Sequence, residues 1–329
     1  MSLSVGVDIG GTKIAASSVD GDGAIRYRAR RETPAQDPEA IAEAVADMVT
    51  ELSERAGEQQ EEIGAVGVAC AGFVDAAGST VLFAPNLAWR DEPLQERLER
   101  RIGLPVLLEN DANAAAWGEF RFGAARDVDD MLLLTVGTGV GGGIISREQV
   151  VRGAHGAAAE VGHLRVVPEG HRCGCGNRGC WEQYASGSAL EREARELVRA
   201  GSPHAADLAE RCGGDAEALT GQQVTEAARD GDRAATELLE DLGHWLGDGI
   251  ASLVAVLDPA LVVVGGGVSA AGDLVLGPAR AAYARQVTGR GHRPFGALVP
   301  AELGNDAGMI GAADLVTHRR GARSDAAGR

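Results

Sequence analysis

The chain has 329 residues, 45% of them hydrophobic, enough for two packed lobes, and no apolar run approaches the length of a bilayer span. Its 31 basic residues face 48 acidic ones, a formal charge of −17 whose field repels phosphate backbones and anionic membranes. Neither nucleic acid nor membrane is therefore an expected partner, and with no secretory leader ahead of Val5 a soluble, cytoplasmic protein is expected. Leu3 to Ile9, Ile14 to Val19 and Ala24 to Arg30 read as short strands of an antiparallel meander, separated by Gly10-Gly11-Thr12 and by the turn signal Asp20-Gly21-Asp22-Gly23. A helical period from about Pro38 to Ala56 follows, then a strand from Ala65 to Ala71, a helix from Pro93 to Arg101, a strand from Pro105 to Leu108 and a helix from Asp111 to Phe120. The same order restarts with strands at Met131 to Val136 and Gly141 to Ser146, a long helical region, and a strand at Leu261 to Val264 before another helix. Gly-rich corners recur at equivalent points, so a duplicated α/β architecture, two lobes around a cleft, is expected. A last amphipathic stretch runs from Asn305 to His318, with a polar, disordered tail after it.

Asp8-Ile-Gly-Gly-Thr12-Lys13 joins two strands, so the N–H groups of Gly10 and Gly11 and the Thr12 hydroxyl can face an anion, phosphate above all. Asp8 can hold magnesium through water, and Lys13, the only lysine of the chain, supplies a compact positive charge. The near repeat at Gly137-Thr138-Gly139 suggests a second hairpin for the same polyphosphate. Gly265-Gly266-Gly267, between a strand and a helix, lets backbone approach a nucleotide closely or simply packs strand against helix. In Glu109-Asn110-Asp111-Ala112-Asn113, Asp111 either caps the helix that follows or accepts a proton from an alcohol during phosphoryl transfer, with Asn110 donating to and accepting from neighbouring hydroxyls.

One imidazole and three thiolates, His163, Cys173, Cys175 and Cys180, are spaced for a closed tetrahedral zinc site, with Gly174, Gly176 and Gly179 allowing the loop to fold tightly. Unligated buried thiols or disulfides are the alternatives, and the odd count of five cysteines speaks against the second. His171, two residues before Cys173, would strain the ring and reads as an exposed loop histidine. Cys70 reads as a core thiol and Cys212 as a loop residue. Glu160, His163 and Glu182 are placed for the zinc loop to aim at one polyol.

Asp8-Ile-Gly-Gly-Thr-Lys13, Ala71-Gly72-Phe-Val-Asp75, Glu109-Asn-Asp-Ala-Asn113, Leu134-Thr-Val-Gly-Thr-Gly-Val-Gly-Gly-Gly143, Glu160-x-x-His163 and Cys173-Gly-Cys-Gly-Asn-Arg-Gly-Cys180-Trp-Glu182 together resemble the ROK family of sugar kinases and repressors, from about residue 4 to residue 316. Cys180-Trp-Glu-Gln-Tyr-Ala-Ser-Gly-Ser, Leu257-Asp-Pro and Val264-Gly-Gly-Gly-Val-Ser269 are most similar to the glucokinases of high-GC Gram-positive bacteria. The resemblance implies the actin-like ATPase (ribonuclease H-like, duplicated) fold and ATP-dependent phosphorylation of glucose at the 6-hydroxyl. It implies ATP and Mg²⁺, and a structural Zn²⁺ on His163, Cys173, Cys175 and Cys180. Asp111 becomes the general base, and Gly72, Asn86, Asn110, Asp111, Glu160, His163 and Glu182 become sugar contacts. Asp8, Gly10, Gly11, Thr12, Lys13, Thr138, Gly139, Gly265, Gly266 and Gly267 fall to the nucleotide.

The expected domains are a small lobe at 1–122, a large lobe at 123–303, a helix at 304–319 returning to the small lobe and a tail at 320–329. The expected assembly is a homodimer or homotetramer. A kinase for another hexose or N-acetylmannosamine, a polyphosphate-using glucokinase and a non-catalytic sugar sensor are the alternatives. A repressor would need a helix-turn-helix ahead of the phosphate hairpin, where seven residues precede Asp8. One departure from the family pattern is Ala158-Ala159-Glu160 where Ala-Gly-Glu is usual, an extra methyl expected to tighten the sugar pocket.

Overall fold

Alternation of small and branched residues in the first nineteen positions produces a hairpin, β1 (Ser2–Ile9) with β2 (Lys13–Val19), extended by β3 (Ile25–Glu32) into the expected antiparallel meander. The computed structural model describes residues 2–34 and 37–327, with side chains to residue 319. Helix α1 (Pro38–Gly57) starts where the Asp37 carboxylate accepts from the Glu39 N–H, and it buries Ile41, Val45, Met48 and Leu52 as one stripe. Each such side chain contributes about 1.5–3 kcal/mol by leaving water. Next come β4 (Glu62–Cys70), β5 (Phe73–Val74), β6 (Val81–Ala84), β7 (Trp89–Glu92), α2 (Leu94–Ile102), β8 (Val106–Asn110) and α3 (Asp111–Phe122). The first sheet has the order β3-β2-β1-β4-β8, with β4 and β8 parallel to β1.

The second half runs through β9 (Met131–Val136), β10 (Val140–Ser146), β11 (Gln149–Val150), α4 (Gly187–Arg199), α5 (Ala206–Arg211), α6 (Gly221–Arg229), α7 (Arg233–Leu257), β12 (Leu261–Gly265), α8 (Asp273–Gln286), β13 (Ala297–Pro300) and α9 (Ala307–Ala327). Its sheet has the order β11-β10-β9-β12-β13. The long helical region of the sequence resolves into α4 to α7. Helix α9 continues to Ala327 where a disordered tail is expected from residue 320, and residues 328–329 lie outside the described part. Cys212 lies, as expected, outside the helices, in the turn that follows α5, where it is buried as the cap residue and its thiol donates to the Ala209 carbonyl.

Two compact units result, Met1–Leu133 with Gly143–Ala159 and Glu302–Arg329, and Leu134–Gly142 with Glu160–Ala301. In the first, β1 is buried along nearly its whole length because α1 and α9 are packed on the sheet. Gly6 and Gly67 are what let α9 lie against it, since a Cβ on either would sit 1.9 or 1.8 Å from the carbonyl oxygen of Met309 or Ala312. The buried Glu119 carboxylate on α3 accepts from the N–H groups of Ala124, Glu302 and Leu303, which ties α3 to the entry of α9. In the second unit, α7 and α8 make the largest helix pair.

Candidate active site

Parallel strands deliver their carboxyl ends to one edge of a sheet, the usual place for ligands in α/β folds. The register pairs Asp8 with Ala69, Ile9 with Cys70 and Cys70 with Asn110, so Asp8 and the Asn110–Asp111 corner emerge at the same edge of the first sheet. Asp8 is partly buried, and that burial pushes its carboxyl above the usual range, with Lys13 pulling it back. The hairpin that follows is closed by Gly10 N–H to the Lys13 carbonyl at 3.0 Å, leaving Gly11, Thr12 and Lys13 exposed. Gly10 and Gly11 are not among the residues at positive φ. The short turn Pro85–Leu87 brings Asn86 beside the hairpin, where a Cβ on Gly11 would meet the Asn86 Cβ at an ordinary contact distance of 3.4 Å. Cys70 is fully buried, as expected, and burial, then the charges of Asp111 and Asp8, push its thiol up to about 12.

Asn110, and not Asp111, makes the cap of α3: its Oδ1 accepts from the Asn113 N–H at 3.0 Å. Asp111 is the first helical residue, with its Oδ1 accepting from the Ala112 N–H and from Asn110 Nδ2. The second proton of Asn110 Nδ2 goes to the Gly72 carbonyl at 3.2 Å. Asn110 thereby holds Asp111 against the β4 end, and Gly72 fits there because a Cβ would come 2.6 Å from the Phe83 carbonyl oxygen. Behind them lies an element that the sequence reading passed over. Glu109 is 4% exposed, accepts from Asn113 Nδ2 and the Asn110 N–H, and takes Arg152 Nε at 2.7 Å. Breaking this pair leaves a buried carboxylate uncompensated, so Arg152→Met is expected to cost about 3–5 kcal/mol in urea unfolding. The Glu109→Gln, Arg152→Met double variant should recover much of that loss, and additive losses would contradict the pairing.

In the second unit the zinc loop is built around three short bonds, Val166 N–H to Gly179 O, Cys173 N–H to Asn177 O and Trp181 N–H to Leu164 O. Gly179 has φ +73, and a Cβ there would lie 1.7 Å from the Val167 carbonyl oxygen, so only glycine closes the loop. Trp181 is fully buried and donates to the Trp245 carbonyl of α7, anchoring the loop. The nitrogen of His163 and the sulfurs of Cys173, Cys175 and Cys180 lie within 4.8 Å of one another. Cys173 Sγ to His163 Nδ1 and Cys175 Sγ to Cys180 Sγ are each 3.6 Å. A zinc tetrahedron has edges of about 3.6 Å for sulfur–nitrogen and about 3.8 Å for sulfur–sulfur, so the donor set fits the ion in type and spacing. All five cysteines are free thiols, and His171 is exposed and packs on Tyr184 instead.

His163 turns Nδ1 to the sulfurs and Nε2 toward Glu160, whose Oε2 is 3.8 Å away, and Glu182 Oε1 lies 3.6 Å from Nδ1. Burial raises the Glu160 carboxyl, with His163 opposing and Glu182 reinforcing the shift. Glu182 also neighbours the second hairpin, since a Cβ on Gly139 would be 2.7 Å from its Oε2. That hairpin is pinned to the N-terminus of α4 by the Gly187 N–H donating to the Gly137 carbonyl at 2.7 Å. Beside it opens a cavity of about 700 Å³ lined by Gly137, Thr138, Ser188, Glu191, Arg229 and Gly267 among others. Of the three glycines 265–267, Gly267 faces the cavity, whereas Gly266, at φ +86, packs within 2.5 Å of Val136 O if given a Cβ. The α4 and α6 lining carries no motif, which is why the sequence reading missed it.

Ala159, where the family pattern has glycine, adopts φ +70. The left-handed region costs a residue with a Cβ about 1–2 kcal/mol. Ala159→Gly is therefore expected to raise the melting temperature by about 2 °C once the greater freedom of the unfolded chain is subtracted. A lower melting temperature in calorimetry would contradict the strain.

The ROK family model matches residues 4–319. The chain belongs to the ROK family. A glucokinase of Streptomyces coelicolor is 48% identical over 315 residues, 96% of this chain and 98% of that protein. The crystal structure of a ROK family glucokinase from Streptomyces griseus in complex with glucose and AMPPNP superposes with a TM-score of 0.84 at 48% identity, covering 95% of this chain and 98% of the other. A ROK hexokinase from Thermus thermophilus gives a TM-score of 0.78 at 36% identity over 94% and 96% of the two chains. The fold is thus the α/β, actin-like ATPase fold that the motifs imply. Among the described residues no helix is long and apolar enough to cross a membrane.

Proposed function

We propose that the protein is an ATP-dependent glucokinase that transfers the γ-phosphoryl group of ATP to the 6-hydroxyl of glucose. The observation that carries this reading is the 48% identity, over nearly the full length of both chains, to a glucokinase whose structure holds glucose and AMPPNP. Asp111 is the base: at the end of β8, oriented by Asn110, its carboxylate takes the proton of the sugar hydroxyl as the hydroxyl oxygen attacks phosphorus. Gly72, Asn86 and Asn110 in the first unit and Glu160, His163 and Glu182 in the second are the proposed sugar contacts. Asp8 and the hairpin Gly10–Lys13, with Thr138, Gly139 and Gly265–Gly267, are assigned to the nucleotide. Bound Mg²⁺ would neutralise phosphate charge, and Asp8, a partly buried carboxylate at the strand edge, suits a hard cation as an oxygen ligand. Bound Zn²⁺ would order the loop that carries Glu160, His163 and Glu182.

The donor is ATP rather than polyphosphate, a choice supported by a cavity of about 700 Å³ beside Thr138, a volume in the range of small-molecule sites and superfluous for a bare phosphate chain. We place the enzyme in the cytoplasm and read it as a homodimer or homotetramer; Trp245 and Val256 on α7 are exposed apolar surface that an assembly would cover. A coupled assay of glucose, fructose, allose, mannose and N-acetylmannosamine against ATP and polyphosphate tests substrate and donor together. Glucose with ATP should give the highest kcat/KM, and efficient turnover with polyphosphate but not ATP would overturn the donor assignment.

A further inference from the structure

On the zinc loop, outside the assigned site residues, Arg165, Arg172 and Arg178 line a cavity of about 450 Å³ together with Pro168, Glu169, Gly176 and Asn177. Many other arginines of this acidic chain are engaged by carboxylates, as Arg28 is by Asp306, Arg97 by Glu92 and Arg211 by Asp207. No ion pair joins any of these three to a carboxylate among the described residues, and the one hydrogen bond their guanidinium groups make there is Arg178 Nη1 to the Gly170 carbonyl at 3.2 Å. Arg172 and Arg178 are moreover directly opposed across an antiparallel bridge, which puts both side chains on one face. Like charges so placed destabilise a pair unless something negative lies between them. A second bridge sets Arg165 opposite Cys180, so all three cations are held by the backbone that presents the zinc ligands.

We propose that this cavity binds the phosphate monoester of a polyol, a sugar phosphate, with the dianion received by the three guanidinium groups. Planar, forked donors are the side chains best matched to phosphate oxygens. The volume exceeds what a bare phosphate fills and lies within the range of small-ligand sites. Glu169 is the one carboxylate in the lining; it repels the anion, and its place is at the hydroxyl end, where it and Asn177 can take hydrogen bonds from the polyol. In a chain of net charge −17, three uncompensated cations around one hollow are otherwise without an electrostatic partner.

Isothermal titration of the full-length, zinc-replete protein with glucose 6-phosphate and, separately, with inorganic phosphate tests this, in physiological salt and with saturating glucose present. The reference is the Arg165→Gln, Arg172→Gln, Arg178→Gln variant, whose zinc content and circular dichroism report whether the loop is intact. Comparing the two proteins isolates the arginine-dependent component whether or not glucose is a substrate. Glucose 6-phosphate should bind the wild type about tenfold or more tightly than the variant, and more tightly than inorganic phosphate does. Inorganic phosphate binding as tightly would overturn the polyol part of the assignment. Equal affinities in wild type and an intact variant, or no binding by either, would overturn the site. If the triple variant loses zinc, Arg172→Gln alone should still weaken glucose 6-phosphate binding, and an unchanged affinity there would also overturn it.

Discussion

Asp111→Asn is expected to lower kcat by on the order of a hundredfold or more while glucose and ATP still bind. The amide cannot accept the proton of the 6-hydroxyl, yet its oxygen can still take the Ala112 N–H that Asp111 Oδ1 takes now. The fold should hold because the cap of α3 is Asn110, whose Oδ1 bond to the Asn113 N–H the substitution leaves in place. Steady-state kinetics with a direct glucose-binding measurement separates the two effects. Near-normal kcat in Asp111→Asn would remove Asp111 from the role of base.

Cys175→Ala is expected to have the second large effect, loss of the metal and with it of sugar binding. Three ligands of the four come from residues 173–180, a loop with no helix or strand of its own, so metal affinity there is also folding energy for the loop. Without the ion, residues 163–182 should loosen and Glu160, His163 and Glu182 lose their aim. Elemental analysis should find about one zinc in the wild type, as one four-ligand site requires, and far less in the variant. The glucose KM should rise and kcat fall, with ATP affinity changing less. A metal-free protein that binds glucose normally would show that the loop does not organise the sugar pocket.

Much of this was legible in the chain because the relevant residues are close in sequence. Three cysteines within eight positions and a histidine ten residues before them leave few chemistries open, and the ligand atoms converge as their spacing implies. The meander was equally readable, since alternation and the turn at Asp20–Gly23 are local signals. What stayed hidden depends on contacts remote in sequence. Strands β5 to β7 are two to four residues long and carry too little pattern to announce themselves. Arg152 finds Glu109 across 43 positions, and the α4 and α6 lining of the larger cavity has no motif. The capping of α3 shows a finer limit: Asn110 and Asp111 are both good caps, and only the backbone, extended at Asn110 and helical from Asp111, assigns the role. At Ala159 the departure was visible in sequence, but its consequence lies in the backbone at φ +70 as well as in any effect of the methyl on the pocket.

Phosphorus NMR of a mixture of the protein, glucose and Mg-ATP reads donor and product in one sample. An ATP-dependent glucokinase forms ADP and a phosphate monoester on the 6-hydroxyl of glucose in equal, glucose-dependent amounts. ATP left unconsumed, or ADP formed with free phosphate and no sugar ester, would contradict that assignment.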